Sequence, residues 1–586
     1  MNSSIFNLDN TLLIRALNAT RPYYYPTYIG LRLIGDQLPK GDSDYLQRIL
    51  FRRFNAGDTW RYKQFQIYKG SVEGPDGLVH EYRQCLAPSP LTAIAESLAL
   101  ALMAKDPDFS VSNRVYSYRW PPSSKSGSSY EFFANGYRQR SVEIASALED
   151  ENLVAVVTDI KSFYPSVQKD GLKEDLKKLL IGSSGTSKFG GEQVFEFYSQ
   201  LLEASDKGIP IGPSSSHVLG HLALREVDLD LEGKYGNNYF RYVDDIVVVC
   251  HRSDQGKVEA SIRESVESCG YSLNEDKTVV ISGEEWHNNQ VQADLPGDDD
   301  FRRFANDLAV YLAFFPDRKD GLAQKFSDAG LSIPMGRLFA LSSYSRFRYF
   351  LSRRKAQQGL SNAISLVVSS NNDFLERASN LKSTYENTLF SLAEAPAEST
   401  PNMRRWQVQR VRRVVNSLFY LRNFSEWKAS DSTFGVFPEL VEQHALATAL
   451  NSGAVDPVLP YYGRGPAAFS ELWAEHGQGG AKLERTAAQL SPVEADGLMT
   501  LRLHGVLSEE SILSSYDGKN ARMLRAASRP DLSSRTNPDL TFEDEFESLR
   551  LGTSEKQIAE LSRSRYSTSE ATGLEALSLL TSEYRS

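Results

Sequence analysis

Cysteine is scarce in this sequence. Three occur in 586 residues, at Cys85, Cys250 and Cys269, scattered and odd in number. With no CxxC and no Cys/His cluster, neither a disulfide framework nor a structural zinc site is expected. Histidine is also thin, with eight residues. His217 and His221 alone stand four apart on one helix, a spacing that could bind metal, but without a Glu or third ligand nearby they read as structural. No run of 18 apolar residues occurs, so no transmembrane helix is expected. Met1–Asp9 lacks the basic region and apolar core of a signal peptide. These absences fit a cytoplasmic protein with no membrane contact. Excess positive charge is missing as well: the formal net charge is −10. That argues against a chain coated in nucleic acid, and any such binding must use local basic patches.

What is present is the composition of a globular protein, 41% hydrophobic and 24% charged, over a length that suggests three or four domains. The chain is organised around Asn238-Tyr-Phe-Arg-Tyr242-Val-Asp244-Asp245-Ile-Val-Val-Val249. An aromatic run reaches two aspartates, and a β-branched run follows. This reads as strand, short turn, strand, with two carboxylates at the tip. Ile246 to Val249 is uniformly apolar, so the second strand should be buried on both faces. Adjacent carboxylates there need a counter-charge, and a divalent cation supplies it. The plain alternative is a solvent-exposed Asp-Asp turn.

A second stretch, Leu153-Val-Ala-Val-Val-Thr-Asp159-Ile160-Lys-Ser-Phe163-Tyr164-Pro-Ser, is another apolar strand ending in an aspartate. Three carboxylates from two strands are what a two-metal phosphoryl-transfer site needs, with ions roughly 3.5–4 Å apart.

These residues resemble the reverse transcriptases. Tyr242-Val-Asp244-Asp245 matches their palm motif, and Asp159-Ile-Lys-Ser-Phe163-Tyr164 matches the strand bearing the first catalytic aspartate. Gly208-Ile-Pro-Ile211-Gly212-Pro213 is similar to the Pro-x-Gly loop beneath the template and incoming nucleotide. Gly270-Tyr-Ser-Leu-Asn-Glu-Asp-Lys277-Thr278 resembles the segment that brings a lysine to the triphosphate. The four motifs stand in order over about 120 residues. The resemblance implies an α+β fold, fingers and palm with an antiparallel sheet, followed by an all-α C-terminal domain. It implies a DNA polymerase using dNTPs and two Mg²⁺ ions, with Mn²⁺ as the alternative. Asp159, Asp244 and Asp245 would be catalytic and hold the metals, with Ile160 adding a backbone carbonyl. Phe163, Tyr164, Arg83, Arg119, Gly212 and Lys277 would contact the nucleotide. Palm RNA polymerases usually carry an aspartate where Tyr164 stands; its ring would exclude a ribose 2′-hydroxyl unless it is simply a core aromatic. Arg83 reads equally as a solvated strand charge.

Two departures narrow the resemblance. Ile211 replaces the usual glutamine of the loop, and Pro213-Ser-Ser-Ser follows. A Pro-Ile-Gly-Pro loop resembles the bacterial antiphage-defence reverse transcriptases, the abortive-infection and unknown-group branches. That implies a role in phage defence, with RNA-templated or template-independent synthesis, a single-stranded DNA product, and a protein hydroxyl or a non-coding RNA in the priming or templating role. An RNA-regulated, nucleic-acid-binding effector with little processive synthesis is the alternative.

Along the chain, residues 1–150 read as an N-terminal segment and fingers, with a hairpin over 61–85 turning at Gly74-Pro-Asp-Gly77 and a second strand over Val115–Trp120. Residues 151–290 read as palm, with fingers helices inserted around 170–205. One helix is expected over Ser215–Leu231. Residues 291–530 carry successive amphipathic helices that suit a helical-repeat array. Residues 531–586 read as a Ser-rich, acidic, loosely packed helical tail. Two basic stretches could bind nucleic acid: Arg346, Arg348, Arg353 and Arg354 among aromatics, and Arg410, Arg412 and Arg413 on another helix. Arginines snorkelling over a core give the same pattern. A homo-oligomer is left open.

Overall fold

A computed structural model describes residues 11–21, 24–37, 44–57, 59–74, 77–123, 126–182, 190–287, 300–333, 335, 368–394, 401–427, 432–477, 479–485, 489–507, 541–564 and 566. Arg346, Arg348, Arg353 and Arg354 lie outside these residues.

A four-stranded antiparallel sheet sits at the centre, in the order β4 (Tyr239–Tyr242), β5 (Asp245–His251), β3 (Leu153–Asp159), β6 (Val279–Ser282). Because successive side chains in a strand point to opposite faces, its apolar runs feed two cores. Val156, Ile246 and Val248 join a large core on one face, with Val258, Ile262 and Val266 of helix Gln255–Ser268. Ala155, Val247 and Val249 face a smaller cluster with Ile144 and Leu148 at the end of helix Phe133–Ala147. Burial on both sides is what the uniform run from Ile246 to Val249 requires.

The fingers hairpin pairs β1 (Tyr62–Gly74) with β2 (Gly77–Pro88) around the expected turn. Ser89 then caps helix Pro90–Met103, its side chain accepting the Thr92 N–H. Val115–Trp120 forms no strand: Val115 makes a single bridge to Arg241. Tyr118 turns into the left-handed region at φ 45°. The Arg119 guanidinium folds back onto the carbonyls of Val115 (2.6 Å) and Asn113 (2.8 Å). The expected helix over Ser215–Leu231 is two helices, Ser215–Ala223 and Arg225–Tyr235, broken at Leu224.

The region after residue 300 is helical. Asn371–Glu394 and Pro401–Leu421 pack as a pair, and Val441–Ser452, Gly465–His476 and Pro492–Leu503 pack around the 3₁₀ turn Asp456–Tyr461. This region touches the fingers directly: the Tyr68 N–H donates to the Tyr462 carbonyl (3.3 Å), and the Tyr68 and Tyr461 rings meet edge to face at 4.8 Å.

The tail is not loose where it is described. Helices Phe542–Arg550 and Glu555–Arg563 pack on helix Tyr25–Gln37, with Phe542 and Phe546 buried. Glu545 is also buried. It pairs with Arg61 (3.0 Å) and accepts the Leu91 N–H (2.9 Å), so the acidic run is compensated by fingers groups. One contiguous apolar core thus runs from Leu12 to Ile558.

Candidate active site

The site is built at one end of the sheet. Strand β3 delivers Asp159 directly opposite Asp245, the first residue of β5. Asp244 sits in the turn between β4 and β5. Asp159 and Asp244 are buried, and the Asp245 side chain is about a third exposed (37%).

The turn is held under tension. Val243 has φ 56°, a left-handed conformation that a β-branched residue rarely adopts. Its N–H donates to Ser117 Oγ (2.9 Å), and its carbonyl accepts from Arg241 Nη1 (2.6 Å). Arg241 is itself fully buried. It pairs with Asp228 in two bonds of 2.6 Å, and Tyr239 donates to the same carboxylate (2.6 Å). A buried bidentate pair of this kind fixes geometry more than it adds stability. His221 lies against Arg241 (3.4 Å), and burial together with that guanidinium holds its imidazole well below the usual pKa. His221 is therefore held as a neutral group packed against Arg241.

Protein cations already address the carboxylates. Lys277 Nζ lies 2.7 Å from Asp159 Oδ2, and Arg140 lies 3.9 Å from Asp245. The other Asp159 oxygen, Oδ1, is buried with no hydrogen-bond partner. Among the described residues, no three His, Cys, Asp or Glu side chains form a ready ligand cage. Magnesium seldom asks for one: it is usually held by one or two carboxylates plus substrate phosphates and water. The donor set is all carboxylate and carbonyl oxygen, and one oxygen of Asp159 lacks a hydrogen-bond partner, so these residues fit a hard divalent cation.

Asp159 and Asp244 open onto a cleft of about 1280 Å³, and Asp245 is not among its lining residues. Asp159, Ile160, Phe163, Tyr164, Asp244 and Lys277 line it from the palm, and Arg83 and Gly212 from the fingers side. Arg412, Glu442 and Arg464 of the C-terminal helices line it too. Arg119, Arg410 and Arg413 are not among the lining residues. Arg119 is spent on the backbone carbonyls described above, on Gln139 (3.0 Å) and on the Tyr116 ring.

The Pro-Ile-Gly-Pro loop is tied to the fingers. The Leu86 N–H donates to the Ile211 carbonyl (2.7 Å). Gly212 has φ 120°, and a Cβ there would stand 2.5 Å from the Leu86 carbonyl oxygen, so only glycine fits. Beneath the loop, the Ser215 N–H at the start of the following helix donates to buried Glu96 (2.7 Å). Burial pushes the Glu96 carboxyl up to about 7.

Residues 111–302 match the family model described as reverse transcriptase (RNA-dependent DNA polymerase). The chain carries a reverse transcriptase domain. The matched residues include β3, the hairpin with Asp244 and Asp245, the loop at Gly212, and Lys277. An RNA-directed DNA polymerase is a nucleotidyltransferase, and reverse transcriptase domains generally use divalent metal ions, typically Mg²⁺. Among solved structures, an apo telomerase from Candida tropicalis is similar at 14% identity over 71% of this chain and 69% of that one, with a TM-score of 0.26. A telomerase from Candida albicans in complex with a fragment of telomeric RNA is similar at 13% identity over 64% and 68%, with a TM-score of 0.27. At those scores the likeness is too slight to bear on fold or activity. None of the curated proteins matches the chain. Among the described residues, no helix is long and apolar enough to cross a membrane.

Sequence reasoning passed over the groups that hold the reverse transcriptase domain's catalytic-site candidates in place: Asp228, Arg241, Ser117, Arg140 and Glu96. Arg241 stood within the quoted hairpin motif, where its position on a buried strand signalled that a buried partner had to exist.

Proposed function

We propose that this cleft adds deoxynucleotides to a hydroxyl end, with Asp159, Asp244 and Asp245 as the catalytic carboxylates. The observation that carries the reading is the pairing of Asp159 with Asp245 across β3 and β5, beside buried Asp244 and an unpartnered Asp159 oxygen. These carboxylates, with the Ile160 carbonyl, would hold the divalent cations. Bound cations lower the pKa of the attacking hydroxyl and neutralise the developing phosphate charge. The chain's own groups do the rest. Lys277, on a half-exposed side chain, carries a mobile ammonium that can leave Asp159 for a triphosphate oxygen. Tyr164 lines the cleft beside Phe163 and presents its ring to the sugar, which favours dNTP over rNTP. Arg83 and the Gly212 loop line the nucleotide side, and Arg412 and Arg464 add positive charge for a nucleic-acid strand.

The Ile211 loop and the helical region that lines the cleft support the finer reading, a defence reverse transcriptase acting against phage. Its product would be single-stranded DNA, extended from a protein hydroxyl or copied from a bound non-coding RNA. One assay separates the two routes. Nuclease-treated protein is incubated with labelled dNTP and Mg²⁺ and run on a denaturing gel with and without protease. Label that migrates with the protein and is released by protease supports protein priming. Free label complementary to a co-purifying RNA supports templating. No label by either route returns the chain to a binding role.

A further inference from the structure

We propose that His217 is a positioning residue for sugar selection, locking the Tyr164 ring in place between palm and fingers. The inference rests on the reading of Tyr164 given above. His217 lies on the first turn of helix Ser215–Ala223, just after the Pro-Ile-Gly-Pro loop. Its Nδ1 is 3.2 Å from the Tyr164 hydroxyl. Its ring is stacked on Tyr118 at a centroid distance of 3.3 Å and an angle of 9°. Tyr130 meets both rings edge on, at 5.7 Å from His217 and 5.5 Å from Tyr118, and its hydroxyl donates to the Ser214 carbonyl (2.8 Å). Tyr118, Tyr164 and His217 all line the cleft.

The arrangement is more specific than core packing demands. Tyr118 stacks on His217 from a backbone at φ 45°, a conformation that costs roughly 1–3 kcal/mol in a non-glycine residue. On the palm side, Gly220 lies one turn further along the same helix, and a Cβ there would stand 3.3 Å from the Phe163 ring and 3.7 Å from Tyr164. The Tyr164 ring therefore has the helix beneath it and His217 at its hydroxyl. A ring that selects against one oxygen atom must be held to a fraction of an ångström, and the hydroxyl–imidazole bond is the contact that fixes its free end. The stack on Tyr118 links that ring to the segment leading into the fingers.

The test measures kcat/KM for dNTP and rNTP in the full chain. Tyr164→Ala should lower the dNTP preference strongly. His217→Ala and Tyr164→Phe should each lower it about 3- to 10-fold, the loss expected of one part-buried hydrogen bond. The double variant should be no worse than either single change, because both remove the same bond. His217→Asn, which can still bond the hydroxyl, should restore most of the preference. Should His217→Ala fail to fold, Tyr164→Phe carries the test, since it removes one oxygen and leaves the packing. If Tyr164→Ala lowers the preference but Tyr164→Phe matches the wild type, with any folded His217→Ala also unchanged, the lock is wrong and the sugar reading stands. If Tyr164→Ala itself changes nothing, the sugar reading falls and the lock falls with it.

Discussion

The buried Asp228–Arg241 pair should prove to be a positioning device, and stability and activity can be separated to show it. Arg241→Met alone leaves the Asp228 carboxylate buried with only the Tyr239 hydroxyl as a strong partner. Removing one member of a buried pair costs about 3–5 kcal/mol. For a cooperative unit of 150–250 residues that is roughly 6–20 °C in Tm. The triple change Asp228→Leu, Tyr239→Phe, Arg241→Met removes both charges and the hydroxyl that would otherwise be orphaned, and leaves His221 and the Val243 carbonyl without the guanidinium. Replacing a buried ion pair by apolar groups of similar volume is often neutral or stabilising, so the triple variant should melt close to the wild type. Its turn should nevertheless relax. Val243 at φ 56° stores roughly 1–3 kcal/mol. The bond from Arg241 to its carbonyl is charge-assisted, worth about 1.5–3 kcal/mol, so losing it removes a term as large as the strain. Asp244 and Asp245 would then shift, and a displacement of about 1 Å in a catalytic group costs on the order of 100-fold. Calorimetry paired with dNTP incorporation decides: a triple variant that is both stable and fully active would refute this account of the turn.

Three further outcomes follow from the site. Asp244→Asn with Asp245→Asn should abolish incorporation while Tm in metal-free buffer holds or rises, because like charges at the tip are relieved; a large fall in Tm would mean that these carboxylates serve the fold instead. Lys277→Met should raise the KM for dNTP and at the same time tighten Mn²⁺ binding to nucleotide-free protein, since the ammonium on Asp159 competes with the cation; manganese binding followed by electron paramagnetic resonance would expose an unchanged affinity. Glu96, raised from 4.5 to about 7, contributes stability that is fully present below about pH 4.5 and is lost as pH rises through 7. Glu96→Gln should therefore stabilise at pH 8 by up to about 3 kcal/mol, with the gain vanishing by pH 5, and a pH-independent difference in denaturant midpoints would rule this out.

The parts of the fold legible in the sequence were those encoded locally. The hairpin around Asp244 announced itself because β-branched residues flank an acidic tip. The β1–β2 turn did so through Gly74-Pro-Asp-Gly77. What escaped depends on distant partners. Val115–Trp120 has strand composition, yet Arg119 finds backbone carbonyls nearby and Tyr118 finds His217, and both contacts outweigh β propensity. The acidic tail reads as loosely packed until Arg61 and the Leu91 N–H, more than 450 positions away, are seen to meet Glu545. Asp159, Ile160, Phe163, Tyr164, Gly212, Asp244, Lys277, Arg83 and Arg412 converge on one cleft, whereas Asp245, Arg119, Arg410 and Arg413 lie outside its lining. A basic residue's identity says little about which way a long side chain will turn.

The central claim is that the carboxylates of β3 and of the β4–β5 turn perform nucleotide addition. It is tested most directly by incubating the purified full chain with labelled dNTPs, Mg²⁺ and either a primer–template or no added nucleic acid, beside the Asp159→Asn variant. The account predicts incorporation by the wild type that is lost on chelation and reduced at least 1,000-fold in Asp159→Asn, with the variant's Tm unchanged. Incorporation undiminished in Asp159→Asn, or none by the wild type under any primer condition, would contradict it.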